Sequence, residues 1–162
     1  MEEIKGLVGT GMMHGAIADQ EVFEMGLDMD PDYVARDAGS IDPGPAFLGS
    51  GKPMVHRVGI KQSIEIMLKG SLKKGVPFLV GSAGVGGTRP HVEQLRAIVE
   101  EIALENQLRF RLATIDSEQE KSYVRGKLRE GKTSPLGPVS PLNEGAIDRA
   151  THIVGMMGAE PW

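Results

Sequence analysis

The feature that most constrains the fold is a glycine-rich stretch between an apolar run and an amphipathic run. Residues 76–80 are apolar, and residues 92–103 repeat apolar side chains at helical spacing. Between them, four of the seven residues from Gly81 to Gly87 are glycine. A strand, a glycine turn and a helix form a common anion site, because the backbone N–H groups at a helix start attract negative charge. This stretch therefore predicts an α/β fold with a binding loop at the end of a strand.

Apolar runs and helical patterns alternate along the rest of the chain. Beside the strand before Gly81, strands are predicted at residues 4–9, from Tyr33, at 108–115 and at 152–156. Helices are predicted between them. This alternation predicts a three-layer Rossmann-like or flavodoxin-like sandwich with a mostly parallel five-stranded sheet. A chain of 162 residues is most simply one such domain.

Several residue types mark the predicted helix ends. The predicted N-caps are Asp19, Asn143 and Ser117, the last forming a capping box with Glu120. The predicted C-terminal stops are Gly75 and Gly131. Residues 37–56 and 134–141 are rich in glycine or proline, so they are predicted to form loops.

Composition excludes several classes of function. The chain has no cysteine, which excludes disulfides, Cys-ligated zinc and thiol nucleophiles. The net charge of −4 argues against binding to nucleic acid or to an anionic membrane surface. The N-terminus is acidic, unlike a signal peptide, and no apolar stretch is long enough to span a membrane. We therefore expect a cytoplasmic protein.

The glycine-rich stretch resembles the P-loop of nucleotide hydrolases without completing it. Gly81, Gly86 and Thr88 match G-x-x-x-x-G-K-[ST], but Gly87 stands where the motif has lysine. Without that lysine, no side chain of the motif reaches the β- and γ-phosphates. Nucleotide hydrolysis is therefore not predicted.

The dinucleotide fingerprint is incomplete as well. Gly84 and Gly86 fit G-x-G-x-x-G, but Arg89 stands at the third glycine position. What the stretch predicts is a general anion site, in which the backbone of the glycines is assisted by Ser82, Thr88 and Arg89. A strand-to-helix turn that needs glycine only for its conformation remains the alternative.

Four further residues are candidates for catalysis or binding. Asp37 follows a predicted strand, where it could transfer a proton, bind a divalent cation or hold a ligand hydroxyl, or could instead cap its own loop. His91 lies on the first helical turn beside the glycines, which suits proton transfer or anion binding. His14, in a glycine-rich turn, and Asp116, at a predicted strand end, are candidate ligand contacts. For each of them a structural role is the alternative. No histidine pair has metal-ligand spacing, so no zinc site is predicted and no residue is assigned to a metal.

Four segments, taken in order, resemble the acyclic terpene utilisation (AtuA-like) family. They are DAGSIDPGP at residues 37–45, GSAGVGGTRPH at 81–91, TSPLGP at 133–138 and IDRATHIVGMMGAEP at 147–161. The resemblance implies a role in the catabolism of branched acyl compounds. Family members are longer, and this chain resembles their N-terminal portion. The resemblance therefore implies a partner subunit that carries the rest of the family sequence, or a homo-oligomer.

Two functions are consistent with these features. The first is a subunit or domain of a catabolic enzyme that binds a small carboxylate or acyl-CoA-type anion at the glycine-rich loop. Asp37 and His91 would then lie near the chemistry, which would be hydration or proton transfer, and the residues specify no cofactor. The second is a non-catalytic assembly or ligand-binding module in which the glycine loop is structural.

Overall fold

The computed structural model describes residues 3–9, 19–39, 45–156 and 158. Within these residues the strands are β1 (Gly6–Val8), β2 (Tyr33–Gly39) and β3 (Phe78–Val85), which pair in parallel in the order β1-β2-β3. The helices are α1 (Gln20–Leu27), α2 (Pro45–Ser50), α3 (Arg57–Lys74), α4 (Arg89–Glu105), α5 (Lys121–Arg129) and α6 (Glu144–Arg149). The predicted α/β class and the parallel sheet are confirmed.

The prediction of five strands is wrong for the described part of the chain, which has three. Residues 108–115 form no strand, and residues 152–156 form only one isolated antiparallel bridge. Leu108 and Phe110 nevertheless pack against the main core. Their alternation with polar residues reflects which side chains are buried, and burial does not require a neighbouring strand.

The core lies where α3 meets the sheet and the neighbouring helices. Ile64 and Met67 of α3 are fully buried, as are Ile98 and Ile102 of α4. Burying a side chain of this size contributes about 1.5–3 kcal/mol to folding. These residues recur at helical spacing in the sequence, so the two long helices were predictable. None of the described helices is long and apolar enough to cross a membrane.

Three of the predicted helix ends are confirmed in detail. The Asp19 carboxylate accepts a hydrogen bond from Val22 N at 3.1 Å and so caps α1. The Asn143 side chain caps α6 by accepting from Ala146 N at 2.9 Å. Gly75 ends α3 with φ 74°, the left-handed conformation that favours glycine.

The predicted capping box and part of the predicted loop are wrong. Helix α5 begins at Lys121, and neither Ser117 nor Glu120 caps it through a side chain. The Ser117 hydroxyl instead donates to the Gly87 carbonyl at 3.0 Å, which is a tertiary contact that the local sequence does not reveal. In the predicted loop 37–56, Pro45 starts the short helix α2, since proline suits the first helical position.

Candidate functional site

Strand β3 continues through most of the glycine-rich stretch, so the predicted loop is shorter than expected. Asp37 of β2 lies opposite Gly81, and Gly39 lies opposite Val85. Between these two pairs β2 has one residue and β3 has three, so β3 carries a two-residue bulge. Bulges of this kind bend a strand and often adjoin functional sites.

Gly84, within the bulge, lies directly under the imidazole ring of His91. A Cβ atom at residue 84 would stand 2.7 Å from His91 Cβ and 2.8 Å from its Cγ and Cδ2. The φ angle of Gly84 is 64°, which side chains rarely adopt. This glycine therefore serves the packing of His91.

His91 is buried, and both of its ring nitrogens have partners. Its Nε2 lies 3.0 Å from the Lys52 carbonyl oxygen, which can only accept, so Nε2 carries a proton. On the neutral ring, Nδ1 then accepts from the Thr88 hydroxyl at 2.8 Å. His91 is 1% exposed and Thr88 0% exposed. The predicted catalytic histidine thus joins the start of α4 to the chain at Lys52, and neither nitrogen faces solvent.

The other glycines of the stretch differ in their surroundings. A Cβ at Gly86 would stand 2.4 Å from Leu48 Cδ1 of α2, so this glycine too makes room for the protein's own packing. Gly87 N donates to the Ala83 carbonyl at 2.8 Å and closes the turn into α4. Gly81 has no neighbour near its Cβ position, and Ser82 is exposed. Gly81 is half-buried like Gly84 and Gly86, and Ser82 is the exposed residue among those of residues 81–87 whose burial the structure describes.

A carboxylate of the chain itself occupies the place predicted for a ligand anion. Arg89 N, at the start of α4, donates to Glu118 Oε2 at 2.8 Å. The Arg89 side chain donates from Nε to Asp116 Oδ2 at 2.9 Å, and Glu118 N donates to Asp116 Oδ1 at 2.9 Å. The structure therefore brings together two predicted ligand contacts, Arg89 and Asp116, with Glu118, which sequence reasoning missed.

These contacts shift the pKa values of all three groups. Burial raises the pKa of Glu118, but hydrogen bonds from Arg89 N–H and from His152 outweigh it and hold the pKa below its ordinary value. The backbone N–H of Glu118, followed by the Arg89 guanidinium, lowers the pKa of Asp116. The Asp116 carboxylate in turn raises the pKa of Arg89. Both carboxylates are therefore ionised at neutral pH.

Glu118 also pairs with His152, which makes the most chemically capable arrangement among the described residues. Glu118 Oε1 lies 2.6 Å from His152 Nδ1, and the two side chains are 16% and 19% exposed. The carboxylate can only accept, so Nδ1 carries the proton and the lone pair of the neutral ring is on Nε2. Within the described residues Nε2 makes no hydrogen bond. A histidine oriented by a carboxylate in this way is suited to accept and return a proton.

The backbone holds this pair in place. Gln119 N donates to the Ile153 carbonyl at 2.6 Å, and Gly155 N donates to the Ser117 carbonyl at 2.8 Å. These bonds flank the bridge between residues 118 and 154. The two partners are 34 residues apart in the sequence. Their spacing therefore gave no signal.

The remaining predicted residues lie elsewhere. Asp37 is exposed at the carboxyl end of β2, and His14 lies outside the described residues. The adjacent Arg36, which was not predicted, is 2% exposed, and its Nη1 lies 3.7 Å from Met67 Sδ. Burial lowers the pKa of Arg36.

Among the described residues no group of three or more His, Asp or Glu side chains could hold a metal ion.

The lowered pKa of Glu118 predicts a pH-dependent contribution to stability. A carboxylate with a lowered pKa stabilises the folded state above its ordinary pKa of 4.5, and this contribution is lost as the pH falls through the folded value. Glu118→Gln should therefore cost about 1–2 kcal/mol of unfolding free energy at pH 7, and less below about pH 4.5. Denaturant unfolding of both proteins across this range measures the difference.

The same substitution at Glu120 is the matched control, because that side chain is exposed and makes no capping hydrogen bond. We expect Glu120→Gln to cost less than about 0.5 kcal/mol at either pH. A cost for Glu118→Gln that does not change between pH 7 and pH 3 would contradict the assignment of an ionised, hydrogen-bonded carboxylate.

No protein-family model, curated protein or solved structure matches this chain. The AtuA-like resemblance therefore remains a proposal, and the site rests on the geometry of its own residues.

Proposed function

We propose that this chain is a subunit or domain of a catabolic enzyme, resembling the AtuA-like family, that moves a proton on a small carboxylate or acyl-CoA-type substrate. The observation that carries the proposal is the Glu118–His152 pair, with Nδ1 held by a carboxylate at 2.6 Å. Removal of a proton next to a carbonyl, or hydration of a double bond there, needs such a group. His152 takes the role that the sequence suggested for His91.

The anionic part of the substrate binds Arg89 in this proposal. The Arg89 and Asp116 side chains are 54% and 45% exposed. An exposed ion pair of this kind contributes only about 0–1 kcal/mol, so a substrate carboxylate can replace Asp116 at little cost. Glu118 hydrogen-bonds to both Arg89 N and His152 Nδ1, so Arg89 and His152 lie near each other at the start of α4. Asp37 remains a predicted catalytic residue, and the exposed Ser82 remains a predicted ligand contact.

The experiment is a search for hydrogen exchange between solvent and substrate. The purified chain is incubated in D₂O with short carboxylates, dicarboxylates and acyl-CoA thioesters, and NMR follows deuterium entering the carbon next to the carbonyl. We expect exchange with at least one of these compounds. His152→Asn should slow that exchange at least about 100-fold, because general acid–base groups contribute about that much.

His56→Asn is the matched control, since His56 is exposed and makes no side-chain cap at the start of α3. It should leave the exchange rate unchanged. Exchange that persists in His152→Asn would refute the assignment of His152.

A second candidate is a non-catalytic assembly or ligand-binding module. Two glycines favour it. A side chain at Gly84 would clash with His91, and one at Gly86 would clash with Leu48, so packing alone explains why both residues are glycine. It is favoured too by Glu118, which already occupies the start of α4. Absence of exchange with every compound, both for the chain alone and with a co-purified partner subunit, would support this candidate.

A further inference from the structure

The chain around residues 49–52 is fixed beside His152 at two points. The Thr151 hydroxyl donates to the Gly49 carbonyl at 2.5 Å. The Lys52 carbonyl accepts from His91 Nε2 at 3.0 Å. Gly51 lies between these anchors, so its backbone has little freedom to move away from the imidazole.

Gly51 lies next to Pro90 and His152, and a side chain at residue 51 would contact both of them. A Cβ atom there would lie 3.2 Å from Pro90 Cγ and 3.5 Å from His152 Nε2. Pro90 is exposed and Gly51 is half-buried, so this space is near the surface. The nitrogen it adjoins is the one that makes no hydrogen bond within the described residues.

We infer that Gly51 controls access to His152 Nε2 and is a specificity-determining residue of the acid–base site. This inference rests on the proposed function, in which Nε2 exchanges a proton with the substrate. A reacting carbon has to come within about 3–3.5 Å of the nitrogen, and a methyl group at residue 51 would cover the side of the nitrogen near Pro90. The absence of a side chain at residue 51 therefore leaves more of His152 Nε2 open to a carbon acid.

The inference is tested with diethyl pyrocarbonate and without any substrate. The unprotonated imidazole nitrogen attacks a carbonyl carbon of this reagent and becomes ethoxycarbonylated, while the other half leaves as ethanol and carbon dioxide. Mass spectrometry of the peptide containing His152 gives the rate. We expect Gly51→Ala to react about tenfold more slowly than the unmodified sequence, a modest steric effect on a rate.

Gly75→Ala is the matched control, because Gly75 has φ 74° against 64° for Gly51 and nothing within 4 Å of its Cβ position. It carries the same backbone strain without filling the space, so its His152 should react at the original rate. Exposed His56 should react equally in all variants, and buried His91 should stay unmodified while the protein is folded.

Pro90→Ala widens the same space from the other side and should speed the reaction about threefold, again a small steric effect. This variant decides the question if Gly51→Ala fails to fold. An unchanged or faster rate in folded Gly51→Ala, or an unchanged rate in Pro90→Ala, overturns the inference. Such a result would not affect the deuterium-exchange test of His152. If instead no compound exchanges deuterium, the proposed function fails, and the modification rates still report how accessible His152 Nε2 is.

Discussion

Gly84→Ala is expected to lower the free energy of unfolding by about 2–5 kcal/mol. Two costs add at this residue. The left-handed backbone, with φ 64°, disfavours any side chain, and the new methyl would stand 2.7–2.8 Å from three carbons of His91. The ring cannot simply turn aside, because Thr88 and Lys52 hold its two nitrogens. Chemical denaturation, comparing the variant with the original sequence, measures the loss.

Gly75→Ala separates the two costs. Gly75 has the same kind of backbone, with φ 74°, but nothing lies within 4 Å of the position of its Cβ. Its substitution should cost about 1–2 kcal/mol, the conformational part alone. Equal losses at the two glycines would mean that the contact with His91 adds nothing, contrary to the geometry.

Thr88→Val should lower the free energy of unfolding by about 1–3 kcal/mol. Valine has the shape of threonine, so the substitution removes the hydroxyl without opening a cavity. The Thr88 hydroxyl is fully buried and lies 2.8 Å from His91 Nδ1, which would lose its only donor in the described structure. A buried acceptor left without a partner keeps its full desolvation cost. Denaturant unfolding again gives the size of the effect.

Thr88→Ser is the complementary variant. It keeps the hydroxyl and removes one methyl group, a loss of about 1 kcal/mol. The ¹⁵N NMR shifts of His91 provide a second readout, since the serine variant should keep the proton on Nε2. If Thr88→Val caused no loss of unfolding free energy, the hydrogen bond would have no net value.

The elements that depend on local pattern could be predicted from sequence. Ile64 and Met67 lie on the buried face of α3, and Ile98 and Ile102 on that of α4, as their spacing indicated. Asp19, Asn143 and Gly75 end helices through contacts within a few residues. Such signals are local, so a single sequence contains them in full.

The candidate site depends on contacts between distant segments, which explains why it was predicted only in part. Arg89 and Asp116 were proposed as separate ligand contacts and prove to bond each other. His152 was not proposed, because its partner Glu118 lies 34 residues away. His91 looked available on the first turn of α4, but its environment comes from Lys52 and Gly84. No local pattern distinguishes a buried histidine from one that faces a substrate.

The bulge in β3 also sets the backbone conformation that leads into α4. Between the pairs Asp37–Gly81 and Gly39–Val85, β3 is longer than β2 by two residues. Two of its residues in this interval, Ser82 and Gly84, have positive φ angles of 51° and 64°. L side chains rarely adopt this conformation, so the alternation of side chains in a regular strand does not hold across the bulge. The direction in which the chain enters α4 therefore depends on these two left-handed residues.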